Sequence, residues 1–399
     1  MRLRIALLVA CAVPVVPCTA QPRSMSRAEV IEAALARGAR IGVARADTAI
    51  AAAQLVTARA MPNPTFVFSY SKSIPTHHYL VELPIDYPWL REPRIQAAEL
   101  ALNAASLRYQ LARATVGLDA DTTYTHAVAA RERLELSRRN AIDADSVMHM
   151  VQRRRDAGDA SDMDVELARV FAGQQANIAN ADSLFLIATL LDLQGVLGMT
   201  TERLEIATAD TLGTPPEIPV LGRTISEIAA DVTVESATLS SRFQRRAAWS
   251  LPSITFGFDY GDADQPGVLP TYGVGMAIPL FDRNRGPRAQ AEAERTRAIA
   301  EANLARVEAR NLIAHALRTR EIEAARVART RGLLASAERV ASMSLTAYRE
   351  GASTLANVLE ARRTAREVLA QYIDDLAAVW ISTAQLRVLA LQPLATRQP

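Results

Sequence analysis

Thr271–Glu292 reads TYGVGMAIPLFDRNRGPRAQAE, and its hydrophobic period changes halfway along. Tyr272, Val274, Met276, Ile278 and Leu280 take every second position, with Thr271, Gly273, Gly275 and Ala277 between them. Period two with one greasy face marks a strand. Phe281-Asp282-Arg283-Asn284-Arg285-Gly286-Pro287 then punctuates the chain. Beyond Pro287, an alanine-, arginine- and glutamate-rich run continues with one glycine and no proline until Gly351. That run is long helix, opened by proline.

The same joint occurs earlier. Tyr79, Val81, Leu83, Ile85 and Tyr87 alternate with Leu80, Glu82, Pro84 and Asp86, and Arg91-Glu92-Pro93-Arg94-Ile95-Gln96-Ala97 follows. Set beside Arg285-Gly286-Pro287-Arg288-Ala289-Gln290-Ala291, the pattern Arg-x-Pro-Arg-x-Gln-Ala matches position for position. A duplicated strand–helix unit is expected, and repeats are settled first because they fix the architecture.

At the N-terminus, Met1-Arg2-Leu3-Arg4 is basic and Ile5–Val16 is apolar but too short to span a bilayer comfortably. Small residues at Cys18-Thr19-Ala20 suit signal-peptidase cleavage, so residues 1–20 read as a secretory signal. Leu8-Val9-Ala10-Cys11 resembles a lipobox but lies close to the start. Cleavage after Ala20 removes Cys11 and Cys18, leaving no thiol or disulfide chemistry. The formal charge of +2 is near neutral, which gives no reason to expect a nucleic-acid partner.

The mature chain divides into a first repeat over 21–198, a linker over 199–224 that carries Pro215, Pro216 and Pro219, a second repeat over 225–392, and a tail over 393–399. Ser26–Ala60 reads as one helix, with Ser26 and Glu29 as a capping box, stopped by Met61-Pro62-Asn63-Pro64. The strand Thr65–Ser71 follows, and Tyr79–Tyr87 returns. The second half repeats this order with a helix over about Ile225–Ala248, a strand over Ser253–Tyr260 and the opening strand.

Aromatic residues are only 5% of the chain, so their concentration in these four strands carries information. Phe66, Phe68, Val81, Phe256, Phe258, Val274 and Ile278 fall on apolar faces, while Glu82, Asp86 and Asp259 lie opposite. A soluble sandwich would alternate in the same way, but two isolated hairpins are too few strands for one. Apolar-out alternation with aromatic ends suits a membrane barrel. Four strands cannot close it, so several chains must contribute. The outward residues should resist arginine, whereas arginine at Gly257 or Gly275 on the other face should be tolerated.

The helices from Pro93 to Asp156 and from Pro287 to Glu350 each reach a glycine, in Ala157-Gly158-Asp159-Ala160-Ser161 and Gly351-Ala352-Ser353-Thr354. Each would span on the order of 95 Å. Gly158 and Gly351 supply C-caps, and Ser161 and Thr354 can cap the returning helices Asp162–Leu197 and Leu355–Leu391. Heptad spacing in Val358, Ala361, Ala365, Val368, Tyr372, Asp375, Val379, Ser382, Leu386 and Leu389 makes these antiparallel coiled-coil hairpins. The fold class is therefore mainly α with a β-barrel part. A soluble helical bundle would explain the helices but not the strands.

These residues carry a resemblance. Met61-Pro62-Asn63-Pro64, Ile278-Pro279-Leu280-Phe281-Asp282-Arg283-Asn284-Arg285-Gly286 and Tyr348-Arg349-Glu350-Gly351, within the duplicated architecture, resemble the TolC-like outer-membrane efflux proteins over nearly the whole mature chain. The first two marks resemble the subgroup that exports heavy-metal cations. The resemblance implies a homotrimer whose twelve strands close one barrel in outer-membrane lipid, continued by helices through the periplasm. A periplasmic adaptor and an inner-membrane pump of the RND type would dock at the helical tips, around Gly158, Ser161, Gly351 and Thr354.

It also implies a gate at the periplasmic mouth. In the family, a tyrosine three residues before the second glycine bonds an aspartate six residues after the first, and the matching positions are Tyr348 and Asp164. An arginine in some members' lock is Ser353 here, and two acidic entrance positions are Asn357 and Glu360. One carboxylate per protomer would still favour cations. Read without the resemblance, Glu360 is an ordinary exposed helix charge.

Enzymatic readings find little support. His77-His78 alone does not make a metal site, and His126, His149 and His315 lack the paired spacing of a metal helix. Phosphate loop, nucleophile elbow and CxxC are all absent from the sequence. No catalytic residue, metal or cofactor is expected. A soluble periplasmic coiled-coil scaffold is the alternative. A single-chain porin is disfavoured, because closure needs at least about eight strands.

Overall fold

A computed structural model describes residues 23–199, 204–215, 217–247, 252–276 and 278–391. The signal segment 1–20 and the tail 393–399 lie outside them. A short strand β1 (Arg23–Met25) leads into α1 (Arg27–Arg37) and α2 (Ala39–Arg59). These are two helices where the sequence suggested one. The break falls at Gly38, whose φ of −59° and ψ of 122° leave the helix and whose N–H bonds Ala34 O at 2.8 Å. A Cβ there would stand 2.7 Å from that carbonyl oxygen. The Ser26–Glu29 capping box forms as expected.

Strands β2 (Thr65–Tyr70) and β3 (His77–Pro84) form the first hairpin. Helix α3 (Pro88–Asp156) then runs 69 residues and α4 (Asp162–Val196) returns. After a strand β4 (Ile206–Thr208) come α5 (Ile225–Arg246), β5 (Ser253–Tyr260), β6 (Leu269–Gly275), α6 (Arg285–Arg349) and α7 (Leu355–Leu389). At about 1.5 Å per residue, α3 and α6 each extend close to 100 Å. Helix α3 starts at Pro88 and tolerates Pro93, which has no N–H to give the carbonyl of Trp89. Arg246 Nη1 takes that oxygen instead, at 3.1 Å.

The long strands make one antiparallel sheet in the order β2-β3-β5-β6, with β2 and β6 as open edges. The first hairpin pairs Phe66 with Val81 and Phe68 with Tyr79. Val81 then pairs Phe256 and Tyr79 pairs Phe258 across to β5, and Phe256 pairs Tyr272 on β6. The alternation in the sequence therefore becomes continuous rows on one face. Both inner strand ends fall short of expectation. Strand β6 stops at Gly275 because its partner Ser253 is the first residue of β5, so Ile278 lies beyond the ladder.

The segment read as a linker carries more structure than expected. Strand β4 pairs in parallel with β1, Ile206 opposite Arg23, and their side chains join a core with Val30, Tyr124, Val128 and Leu193. Tyr124 Oη lies 2.9 Å from both Met25 O and an Asp210 carboxylate oxygen, either of which can accept its proton, and burial pushes its pKa up. Arg131 donates to the carbonyl of Asp210 at 2.5 Å, and the Arg27 guanidinium sits 4.2 Å from the Trp380 ring. This girdle clasps α3 near mid-length.

Candidate functional site: sheet and helical tips

The sheet and the helical tips are the two ends that can act. On the sheet, Phe66, Phe68, Val81, Phe256, Phe258 and Val274 share one face and are all exposed, as are Tyr70 and Tyr260 at its far end. Phe68 and Tyr79 lie 5.0 Å apart, and Tyr79 stacks on Phe258 at 4.8 Å. Such a face has no place in water at this extent. The opposite face is polar: Ser253 Oγ donates to Glu82 at 2.5 Å, and His78 Nδ1 lies 2.8 Å from Asp259.

The expectation that Gly257 tolerates arginine fails. A Cβ there would meet the backbone carbonyl of Tyr79 and lie 2.9 Å from Leu80 Cδ1. At Gly275 the obstacle is the Ser253 hydroxyl at 2.9 Å, a side chain that can rotate away.

At the tips, both glycines take the left-handed conformation, Gly158 at φ 87° and Gly351 at φ 75°. Each closes a Schellman-type end: Asp159 N donates to Arg154 O and Ala352 N to Ala347 O, both at 2.8 Å. The four helices meet in one apolar cluster of Val147 and Val151 from α3, Val165 and Ala168 from α4, Tyr348 from α6, and Leu355 and Val358 from α7.

Tyr348 and Asp164 are thus brought to the same end, but within one chain they do not bond. Asp164 accepts from Ser161 N at 3.1 Å and Ser161 Oγ at 2.9 Å, completing a capping box. Tyr348 Oη is buried without a partner among the described residues. Burial is the main cause that raises its pKa. The Arg154 cation opposes the shift and the Asp164 charge adds to it.

Sequence reading missed Arg154. Its Nη1 donates to Tyr348 O at 2.5 Å and its guanidinium lies 4.8 Å from the Tyr348 ring. As one of three successive arginines, Arg153 to Arg155, it had no signal to set it apart. Asn357 and Glu360 are exposed on the face of α7 away from Leu355 and Val358. Asn357 Nδ2 donates to Ser353 Oγ at 3.2 Å. Thr354 occupies the N-cap position of α7 without a side-chain cap bond. No group of three or more His, Cys, Asp or Glu suited to a metal occurs among the described residues.

Residues 229–390 match the family model for outer membrane efflux protein. A pyoverdine export outer membrane protein, OpmQ of Pseudomonas putida, is 27% identical over 326 residues, 75% of this chain and 65% of the relative. The matched part of the chain thus spans just under two thirds of that relative's length. The CmeC outer membrane channel of Campylobacter jejuni superposes with a TM-score of 0.74 at 17% identity, covering 91% of this chain and 85% of that one. CusC, solved in a study of transmembrane channel formation, gives 0.74 at 15% identity and covers 91% of both chains. The second half of the chain is thus similar to the outer membrane efflux proteins, and its fold is that of these solved outer membrane channels.

Proposed function

We propose that the chain is the outer-membrane duct of a tripartite exporter, a passive homotrimer that passes cargo from a periplasmic adaptor and an inner-membrane pump to the exterior. The observation that carries this is the four-stranded sheet with two open edges and one apolar face, continued by helices close to 100 Å long. An open edge is a hazard unless it is paired. Three copies, joined β6 to β2, make twelve strands without an edge and turn the greasy face to lipid. Reaction chemistry is not part of this reading. The pump supplies the energy, and the tips supply docking and a gate.

The gate reading adds one step. Tyr348 Oη is buried and unpaired, and Asp164 lies at the same end, so assembly can supply the missing acceptor. A phenol–carboxylate hydrogen bond is charge-assisted and contributes about 1.5–3 kcal/mol. Exposed Glu360 forms a threefold ring at the mouth. Heavy-metal cations are one cargo this motif set suggests. The pyoverdine export relative favours an organic cargo, and cargo choice would then rest with the pump.

The test is conductance and reversal potential in planar bilayers. The wild type should extract in detergent as a trimer and conduct weakly. Tyr348→Phe with Asp164→Ala should raise single-channel conductance, and Glu360→Gln should reduce cation preference. A water-soluble monomer in the periplasm would sink the duct and favour the scaffold. A double mutant that conducts like wild type would leave the duct standing and remove the gate.

A further inference from the structure

The two joints between sheet and long helix carry the same Arg-x-Pro-Arg pattern, and the fold uses the copies differently. At the first, Arg94 Nη2 bonds the Asp86 carboxylate at 2.7 Å and Arg94 Nε donates to Ala58 O at 2.9 Å. Arg91 Nη2 reaches the carbonyl of Arg59 at 3.3 Å, and Tyr87 stacks on Trp89 at 4.1 Å. Both arginines of that joint find partners within the chain, although Arg91 Nε and Asp86 Oδ1 stay buried without a hydrogen bond.

At the second joint, Arg285 and Arg288 hold the matching positions and Arg283 precedes them. All three are exposed, and none of their guanidinium groups has an ion pair or hydrogen bond among the described residues. The nearby Asp282 accepts from Asn284 N at 2.9 Å, and Asn284 Nδ2 donates to Gln244 O at 2.8 Å. Directly before these arginines, Ile278 and Leu280 are each 67% exposed and Phe281 is fully exposed. Greasy side chains followed at once by unpaired guanidinium groups, at the foot of an apolar sheet, match the boundary between acyl chains and phosphates.

We propose that this joint binds the anionic headgroup of a phospholipid in the leaflet facing the helices. Leu280 and Phe281 enter the acyl layer, and Arg283, Arg285 and Arg288 hold the phosphate. The inference rests on the barrel reading above. Arginine forks match phosphate oxygens in pairs. A neighbouring subunit is the competing occupant, because β6 is an edge. The segment that would adjoin it, Ala58–Thr65 leading into β2, contains no acidic residue to neutralise three arginines. Charge complementarity therefore favours lipid.

The test titrates the detergent-extracted protein with dioleoylphosphatidylglycerol, dioleoylphosphatidylcholine or inorganic phosphate, and follows thermal stabilisation. Wild type should respond at lower phosphatidylglycerol than phosphatidylcholine, and the preference should shrink about five-fold for each arginine removed. The R283Q/R285Q/R288Q variant should have lost it, and R349Q at the distant tip should keep it. F281S should weaken the response to both lipids while preserving the preference. The proposal is overturned if the triple variant keeps the preference or if inorganic phosphate stabilises wild type equally. It is also overturned if the triple variant alone falls apart into monomers, which would make the patch a subunit contact. A wild type that is not a detergent-extracted trimer overturns the duct itself, a result distinguishable from all of these.

Discussion

At the α3–α4 tip, Ser161 and Asp164 close a reciprocal capping box on the first turn of α4. At the α6–α7 tip, Thr354 stands at the same position and makes no side-chain cap bond, and Asn357 donates its amide to Ser353. The glycine ends are alike and the returning helices are both 35 residues long, so the difference lies in the third residue of each returning helix. A carboxylate there can accept two donors. The amide of Asn357 spends its donor on a neighbour. One tip is locked to itself, and the other is held through the shared apolar cluster and Arg154. If the duct opens at this end, the second tip is the one free to move.

The largest expected effect tests how far that cluster holds both tips. Leu355 is 1% exposed and packs in the cluster contributed by all four helices. Leu355→Ala should cost about 2–5 kcal/mol, the range for truncating a buried leucine. Amide exchange should rise at both tips. A rise confined to α7 would mean that the two tips are not coupled through this core.

Next is Arg154, which bridges the tips by polar contact to Tyr348. Arg154→Met keeps much of the stem and removes the charge-assisted bond, at a cost of about 1.5–3 kcal/mol. Exchange should rise in residues 345–353 while the first turn of α4 stays protected. Loss of protection at both sites alike would erase the contrast between a self-locked tip and a clamped one.

The caps give a smaller and more direct comparison. Ser161→Ala should cost about 1 kcal/mol, whereas Thr354→Ala should cost a few tenths at most, since no cap bond is lost. Asn357→Asp should build the missing box and gain a similar fraction of a kcal/mol. Equal costs for the two alanine variants, measured by exchange in the first turns of α4 and α7, would break the asymmetry.

Much of this fold was legible because it depends on periodicity. The change from period two to helical spacing at Phe281–Pro287 located the joints, and alternation put Phe66, Val81, Phe256 and Tyr272 on apolar faces, while the register that sets them in one row came from the strand pairing. The inner ends of β3 and β6 were not legible, because they depend on where a partner strand begins, as Ser253 decides for β6. The β1–β4 pair was missed for a related reason. Each strand is three residues long, and their pairing depends on contacts with Tyr124 and Asp210 far off in sequence. At the tips, positions counted from the glycines put Tyr348 and Asp164 at one end of the helices, where they lie without a bond between them. Spacing could not reveal that Ser161 already occupies the Asp164 carboxylate, nor that Arg154 was the arginine to watch.

The smallest expected effect concerns the Tyr348 phenol. Burial raises its pKa above the ordinary 10.0, with Asp164 adding to the shift and Arg154 opposing it. The protonated phenol is therefore the form that suits the folded tip. Its contribution to stability is fully present below the unfolded value, about pH 10, and is lost as pH rises through the higher folded value. Ionisation would place a charge inside the apolar cluster and near the Asp164 carboxylate, which favours loosening of the second tip. In planar bilayers, wild-type conductance should be flat from neutral pH to about 10 and rise above it. Tyr348→Phe, which cannot ionise, should show no such rise. Arginine stays charged throughout this window, so the Arg154 clamp does not itself titrate. If Tyr348→Phe follows the wild-type profile, the alkaline response belongs to other groups, and Tyr348 serves the tip only by packing.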